Sequence, residues 1–241
     1  MEKIKANFDD FTFNARVMPV LVVILPIICV GVYESIIKEV ILKNIIYVSV
    51  IIIFMTFMAH VARDLGKKAE RKLVKRLGGL PTTIVMRFSD TRIDPYSKIR
   101  YHKILNKKIM DLNIPISIDE EKEDSDYIYD SAIIWLRGVS NSDKKKYHLV
   151  YKELKDYNFW RNLYGIKYIG IFIYILIAVR EILLMKNFNV VDIFINPYPQ
   201  YITFIIMIFS ALLGLIIINI RVVENKAFDY ARALIEICDK I

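Results

Sequence analysis

Twenty-eight consecutive residues, Ile193 to Ile220, carry no charged side chain. Coiled as a helix, such a run exceeds the roughly 20 residues that cross a ~30 Å hydrocarbon core. Within it, Ile202 to Ile220 holds 13 residues of Ile, Leu or Phe. At roughly −0.3 to −0.6 kcal/mol each, insertion is favourable by about 4–8 kcal/mol. Val17 to Tyr33 and Asn44 to Ala62 are charge-free for 17 and 19 residues. A fourth window, Ile166 to Met185, is weaker: its charge-free core, Tyr168 to Val179, is followed by Arg180 and Glu181. Hydrophobic residues make up 55% of the chain and charged residues 25%, in separate blocks. That segregation excludes a disordered chain, a collagen-like or repeat array and a disulfide scaffold. With only 8 glycines in 241 residues, helix is favoured over turn-rich β structure.

Glu2, Asp9 and Asp10 precede the first run, and Tyr33-Glu34-Ser35 follows it. Neither suits a cleaved signal peptide, so a retained helix is expected. Basic residues crowd three places: Lys3, Lys5 and Arg16; seven cations from Arg63 to Arg76; and Arg221, Lys226, Arg232 and Lys240. The loop before the last run holds only Lys186. The positive-inside rule then places both termini and the central region in the cytoplasm. The expectation is an all-α, polytopic membrane protein. Four transmembrane helices, two plus two, flank a mainly helical cytoplasmic domain inserted between helices two and three. In residue numbers, 1–62 holds the N-terminal tail and first two helices, 63–165 the basic cytoplasmic domain, 166–220 helices three and four, and 221–241 a cytoplasmic C-terminal helix. Ile36, Ile37, Val40 and Ile41 place the first outer loop in the interface, and Asn196-Pro197-Tyr198-Pro199 breaks the chain before the last helix.

The inserted region is polarised. Arg63 to Lys108 has 14 Lys and Arg against four acids, net +10; Ile109 to Gly165 has 8 against 11, net −3. Leu65, Ala69, Leu73 and Leu77 extend the second membrane helix as a stalk until Gly78-Gly79 stops it and Pro81 forbids an immediate restart. Ile84 to Phe88 reads as a strand or buried turn. Asp94-Pro95 opens a helix to about Lys108. One of its faces carries Tyr101, His102, Leu105 and Ile109, and the opposite face Arg100, Lys103 and Lys107. Ser117-x-x-Glu120 reads as a capping box, Tyr127, Ile134 and Trp135 mark a helix closing at Gly138, and Ser140 to Asp143 caps the next. Tyr147, Val150, Leu154 and Tyr157 begin a helix that continues through Trp160 and Leu163 into the third membrane segment.

No phosphate-loop, dinucleotide or nucleophile-elbow motif occurs, and His60, His102 and His148 lack ligand spacing. No catalytic set, metal site or cofactor is therefore expected, and the chain does not read as an enzyme. Cys29 and Cys238 set no disulfide framework. The acidic run Asp119 to Asp126 reads first as a solvated loop, with a weak cation site or a cover for the basic half as alternatives. The cations of Arg63 to Arg76 suit anionic lipid. Those beyond the Gly-Gly-Leu-Pro turn suit a phosphate-bearing ligand better: Thr82, Thr83, Arg87, Arg92, Arg100, Tyr101, Lys103 and Lys107 combine cations, hydroxyls and an aromatic ring. Arg180 and Glu181 are intramembrane charges that either face a pore or snorkel; Ser210 and Gly214 form a small-xxx-small pair.

This layout resembles the pore-forming membrane effectors of bacterial anti-phage defence, the Hailong-type effectors. Gly78-Gly79-Leu80-Pro81-Thr82-Thr83, Arg87 and Tyr157-Asn158-Phe159-Trp160-Arg161-Asn162-Leu163 carry the resemblance, with Asn158 departing from the glycine of that pattern. The resemblance implies a homo-oligomeric channel, with a tetramer favoured, in the bacterial inner membrane. It would be closed at rest and opened by a nucleotide or oligonucleotide, depolarising the membrane. It also implies a messenger-synthesising nucleotidyltransferase encoded nearby as partner, besides membrane lipids. A membrane scaffold without a pore and a small transporter subunit are the competing expectations.

Overall fold

The computed structural model describes residues 10–37, 44–184 and 199–241, with side chains described for 10–33, 53–184 and 200–241. The expectations for Val40, Ile41, Lys186 and Asn196 to Tyr198 lie outside the described residues. Among the described residues the chain is all-helical, with no strand. Two compact units emerge: Met1–Ala69 with Asn158–Ile220, and Glu70–Tyr157 with Arg221–Ile241.

In the first unit, Asp10–Thr12 and a π turn at Phe13–Val17 lead into α1, Met18–Ile37. Pro19 supplies no N–H for an α-type bond to Ala15. The Ala15 carbonyl instead accepts the Asn162 amide at 2.6 Å. Pro26 sits inside α1, and the hydroxyl of Tyr174 donates to the nearby carbonyl of Val23. The proline-freed Ala15 carbonyl is thus satisfied from a neighbouring helix, as a low-dielectric setting requires. That neighbour is α6, His148–Leu184, which runs unbroken through Trp160 and Leu163 as its spacing indicates. The second long helix, α2, covers Asn44–Leu77, and α7 covers Pro199–Ile217.

Val20, Val23, Ile24, Met58, Ala59, Ala62, Leu163 and Ile166 form one core, Val30, Tyr174, Ala178, Met207 and Ala211 another. Small residues bring the helices close. A Cβ on Gly165 would fall 2.5 Å from the Gly66 nitrogen, and one on Gly170 2.5 Å from the Val23 side chain. The outward side chains are also apolar: Leu183 is 80% exposed, Ile216 71% and Ile53 70%. Asp10–Tyr33 and Gln200–Ile217 are long and apolar enough to cross a membrane.

The second unit takes the end of α2, the start of α6 and three helices of its own, with α8, Ile220–Ile235, continuing into a 3-10 turn, Glu236–Lys240. Gly78, at φ +72°, ends α2, and the Gly79 N–H reaches back to the Val74 carbonyl at 3.2 Å in a Schellman closure. The next segment departs from the expected strand or turn. Pro81 does not delay a restart; it occupies the first turn of α3, Pro81–Met86, where its missing N–H is no loss. The apolar run after it is therefore mostly helix, not strand. Asp94 caps α4, Pro95–Lys108, through Ser97 N–H, as its Asp-Pro signature indicates. Ser117 makes no side-chain cap; it precedes a 3-10 turn, Ile118–Glu120, and Glu120 binds the Ile116 N–H instead. The next helix, α5, spans Ser125–Ser142 and passes through Gly138, which meets nothing within 4 Å. Its buried face is Tyr129, Ala132, Ile133 and Leu136, whereas Tyr127 and Ile134 point outward. Asp143, rather than the serines, accepts the N–H groups of Lys145 and Lys146 before α6.

Candidate functional site

The basic stretch folds largely onto acids distant in sequence. Thr82 and Thr83 are buried on α3. The Thr83 hydroxyl donates to Asp130 of α5, and Arg137 donates to the Thr82 hydroxyl at 3.4 Å. Arg87 grips Asp126 with Nε at 2.9 Å and a terminal nitrogen at 2.5 Å, and that nitrogen also binds the Gly78 carbonyl at 2.9 Å. The Asp126 hydrogen bond holds its guanidinium above its ordinary pKa despite burial. Glu121, from the acidic run, accepts the Phe88 N–H at 3.1 Å and the Tyr129 hydroxyl at 2.7 Å. Part of that run is therefore a set of internal partners. Among the described residues, no cluster of three His, Cys, Asp or Glu could hold a metal ion.

Arg92 pairs with Asp90 and stacks on Phe228 at 3.5 Å from the ring centre. Lys98, another cation of this stretch, is buried with its ammonium on the carbonyls of Arg87 and Asp90, each at 2.5 Å. Burial pulls its pKa down, against Asp90 and Glu121. Arg100 and Tyr101 both converge on Asp239 of the last 3-10 turn.

The remaining candidates stand open. Tyr96, Ile99, Arg100, Lys103, Ile104 and Lys107 line a shallow depression of about 380 Å³. Lys103 and Lys107 are exposed and have no acidic partner among the described residues. Tyr96 is 85% exposed beside them. Two ammonium groups one helical turn apart with an uncovered aromatic ring can take a phosphate and stack a base.

Behind this face lies His102. Its ring is fully buried, with Nδ1 2.6 Å from the Pro115 carbonyl, an edge-on Phe88 and a tilted Tyr129. Burial lowers its pKa, outweighing the Pro115 carbonyl; Lys98 lowers it too and Glu121 opposes. The unfolded chain takes up this proton first as pH falls through the ordinary histidine value near ~6.5. Stability of the second unit should therefore fall below that pH, by at most about 1.4 kcal/mol per pH unit. Trp135 fluorescence, in a Trp160→Phe background, should report a lower melting point at about pH 5.5 than at about pH 7.5, with much of the difference absent in His102→Gln. An undiminished difference in that variant would assign the effect to other groups.

In the first unit, Glu181 is 2% exposed and paired with Arg180 at 2.7 Å, while the Arg180 side chain reaches outward. Ser210 and Gly214 are half-buried, with Gly214 in ordinary contact distance of Ile171. The closer approach is between Gly66 of α2 and Gly165 of α6. Lys167 is buried and donates to the Ile218 carbonyl at 2.7 Å, just past the end of α7.

No family model matches the chain, and neither a curated protein nor a solved structure is found to match it.

Proposed function

We propose that this chain is a multi-pass membrane protein in which the charged helical unit binds a nucleotide or oligonucleotide on the outer face of α4. In a homo-oligomer, the apolar unit forms an ion path that the ligand opens, which would arrest a cell by depolarisation. The observation carrying this reading is the unpaired Lys103 and Lys107 beside Tyr96, next to Arg87, Arg92, Lys98 and Arg100 whose charges are all taken up internally. The Phe, Leu and Ile exterior of the first unit supports lipid as its solvent. Four spans, with α2 and the later part of α6 beside the two apolar helices, would put both termini and residues 70–157 on the cytoplasmic side. In that arrangement Lys167, held by the Ile218 carbonyl, and the Arg180–Glu181 pair lie at opposite ends of the third span, and the Arg180 side chain can snorkel. Gating is a two-state shift: a ligand that binds one arrangement of the helices better increases its population.

The test is a short fluorescein-labelled oligothymidylate titrated onto the detergent-purified full chain. A charge-assisted hydrogen bond contributes about 1.5–3 kcal/mol, and solvent exposure of both ammonium groups reduces the pair together to about that of one such bond, so Lys103→Ala/Lys107→Ala should weaken binding roughly 10- to 150-fold. Lys67→Ala/Lys72→Ala on α2 should change it little. In planar bilayers the same probe should evoke conductance from the parent protein and not from the α4 variant. Equal binding by the parent and the α4 variant would remove the site; binding without conductance would leave a docking scaffold.

A further inference from the structure

Asp239 already holds one cation of the proposed site, Arg100. Arg100 donates Nε to its Oδ1 and a terminal nitrogen to its Oδ2, both at 3.0 Å, and the Tyr101 hydroxyl donates to Oδ2 at 2.9 Å. Asp239 sits in the 3-10 turn Glu236–Lys240, anchored by Ile237 and Cys238, each 2% exposed. Its own side chain is 43% exposed and that of Arg100 53%. The carboxylate is thus a solvent-accessible anion, on a short tether, bound to the Arg100 that lines the depression, whose other cations are unpaired. A guanidinium fork accepts carboxylate and phosphate with the same two-bond geometry. Phosphate brings more charge and more acceptor oxygens, and it can engage Lys103 as well. Asp94, which accepts Ser97 N–H at the start of α4, also lies near Arg100 and remains engaged in its cap.

We infer that Asp239 is a tethered competitor for the α4 site: a phosphate group displaces it from Arg100 and Tyr101 and thereby releases the turn Glu236–Lys240. This rests on the reading that the α4 face takes a phosphate-bearing ligand, and it supplies what that reading lacks, a contact that ligand binding changes. The resting protein holds the turn down; the occupied protein frees it.

Asp239→Asn keeps the shape and removes the charge. An exposed ion pair is a weak competitor, so the variant should bind labelled oligothymidylate roughly two- to fivefold more tightly. Lys103→Ala/Lys107→Ala should weaken binding in both backgrounds. Unchanged or weaker binding by Asp239→Asn, with the lysine pair still required, overturns the competitor and leaves the site. Loss of the lysine effect overturns the site itself. Amide exchange across residues 236–241 of the parent protein provides a reading independent of any variant. Saturating probe should accelerate it, and unchanged or slower exchange overturns the release.

Discussion

Gly165→Ala should destabilise the detergent-solubilised protein by about 1–3 kcal/mol, more than the same change at Gly31 or Gly214. The new Cβ would lie 2.5 Å from the Gly66 nitrogen, 2.9 Å from the Leu65 carbonyl carbon and 3.0 Å from the Gly66 Cα. All three are backbone atoms of α2, so no rotamer change relieves the clash; the helices must separate. Separation would also disturb Asn162, one turn along α6, whose amide satisfies the Ala15 carbonyl. Gly214→Ala meets only Ile171 at 3.8 Å, and Gly31→Ala meets nothing within 4 Å; both should melt close to the parent. Thermal denaturation followed by size-exclusion recovery of folded protein makes the comparison. Similar melting of Gly165→Ala and Gly31→Ala would mean that α2 and α6 do not approach this closely.

What could be read beforehand divides along physical lines. Local chemistry was legible. Asp94-Pro95 fixed the start of α4 because a capping carboxylate and a proline at the first helical position act within four residues. Gly78 ended α2 because only glycine takes its positive φ without strain. In the stripe Tyr147, Val150, Leu154 and Tyr157, the three members other than the half-buried Leu154 are buried, as the spacing indicates. Registers with several solutions were not legible. On α5 both candidate faces hold apolar residues, and burial of Tyr129 and Leu136 rather than Tyr127 and Ile134 depends on partners elsewhere in the chain. The same holds for close packing. Ser210 and Gly214 satisfy a spacing rule within one helix, whereas Gly66 and Gly165 meet across two helices far apart in sequence. For the candidate site, composition located the basic stretch but not its pairing. Arg100 finds Asp239 at a separation of 139 residues, and Arg87 finds Asp126 at 39. Net charge over a segment says nothing about which cations such distant acids neutralise.

Arg87 decides whether that distinction matters. It was a ligand candidate on sequence, yet its guanidinium bridges Asp126 of α5 and the Gly78 carbonyl of the α2 stop, while its own carbonyl takes the Lys98 ammonium. Arg87→Ala would leave the Asp126 carboxylate and the Gly78 carbonyl without this donor at a site only a quarter exposed on the arginine side. Hydrogen bonds between charged groups contribute about 1.5–3 kcal/mol, reduced here by solvent on the Asp126 side, so a loss of about 2 kcal/mol is expected. Arg87→Lys should recover less than half of it, because an ammonium cannot reproduce the planar fork across two acceptors. Asp126→Asn should cost less than Arg87→Ala, since its amide oxygen still accepts. Lys103→Ala, by contrast, should leave stability within about 0.5 kcal/mol of the parent, as exposed substitutions usually do. Trp135 melts in the Trp160→Phe background measure the stabilities, and oligothymidylate titrations well below each melting point measure binding. The two residues should separate cleanly: Arg87→Ala lowers the melt and binds normally while folded, and Lys103→Ala melts normally and binds weakly. If Arg87→Ala instead keeps its melting point and loses the ligand, the phosphate lies on the α3–α5 side of the unit, and the α4 face is surplus surface charge.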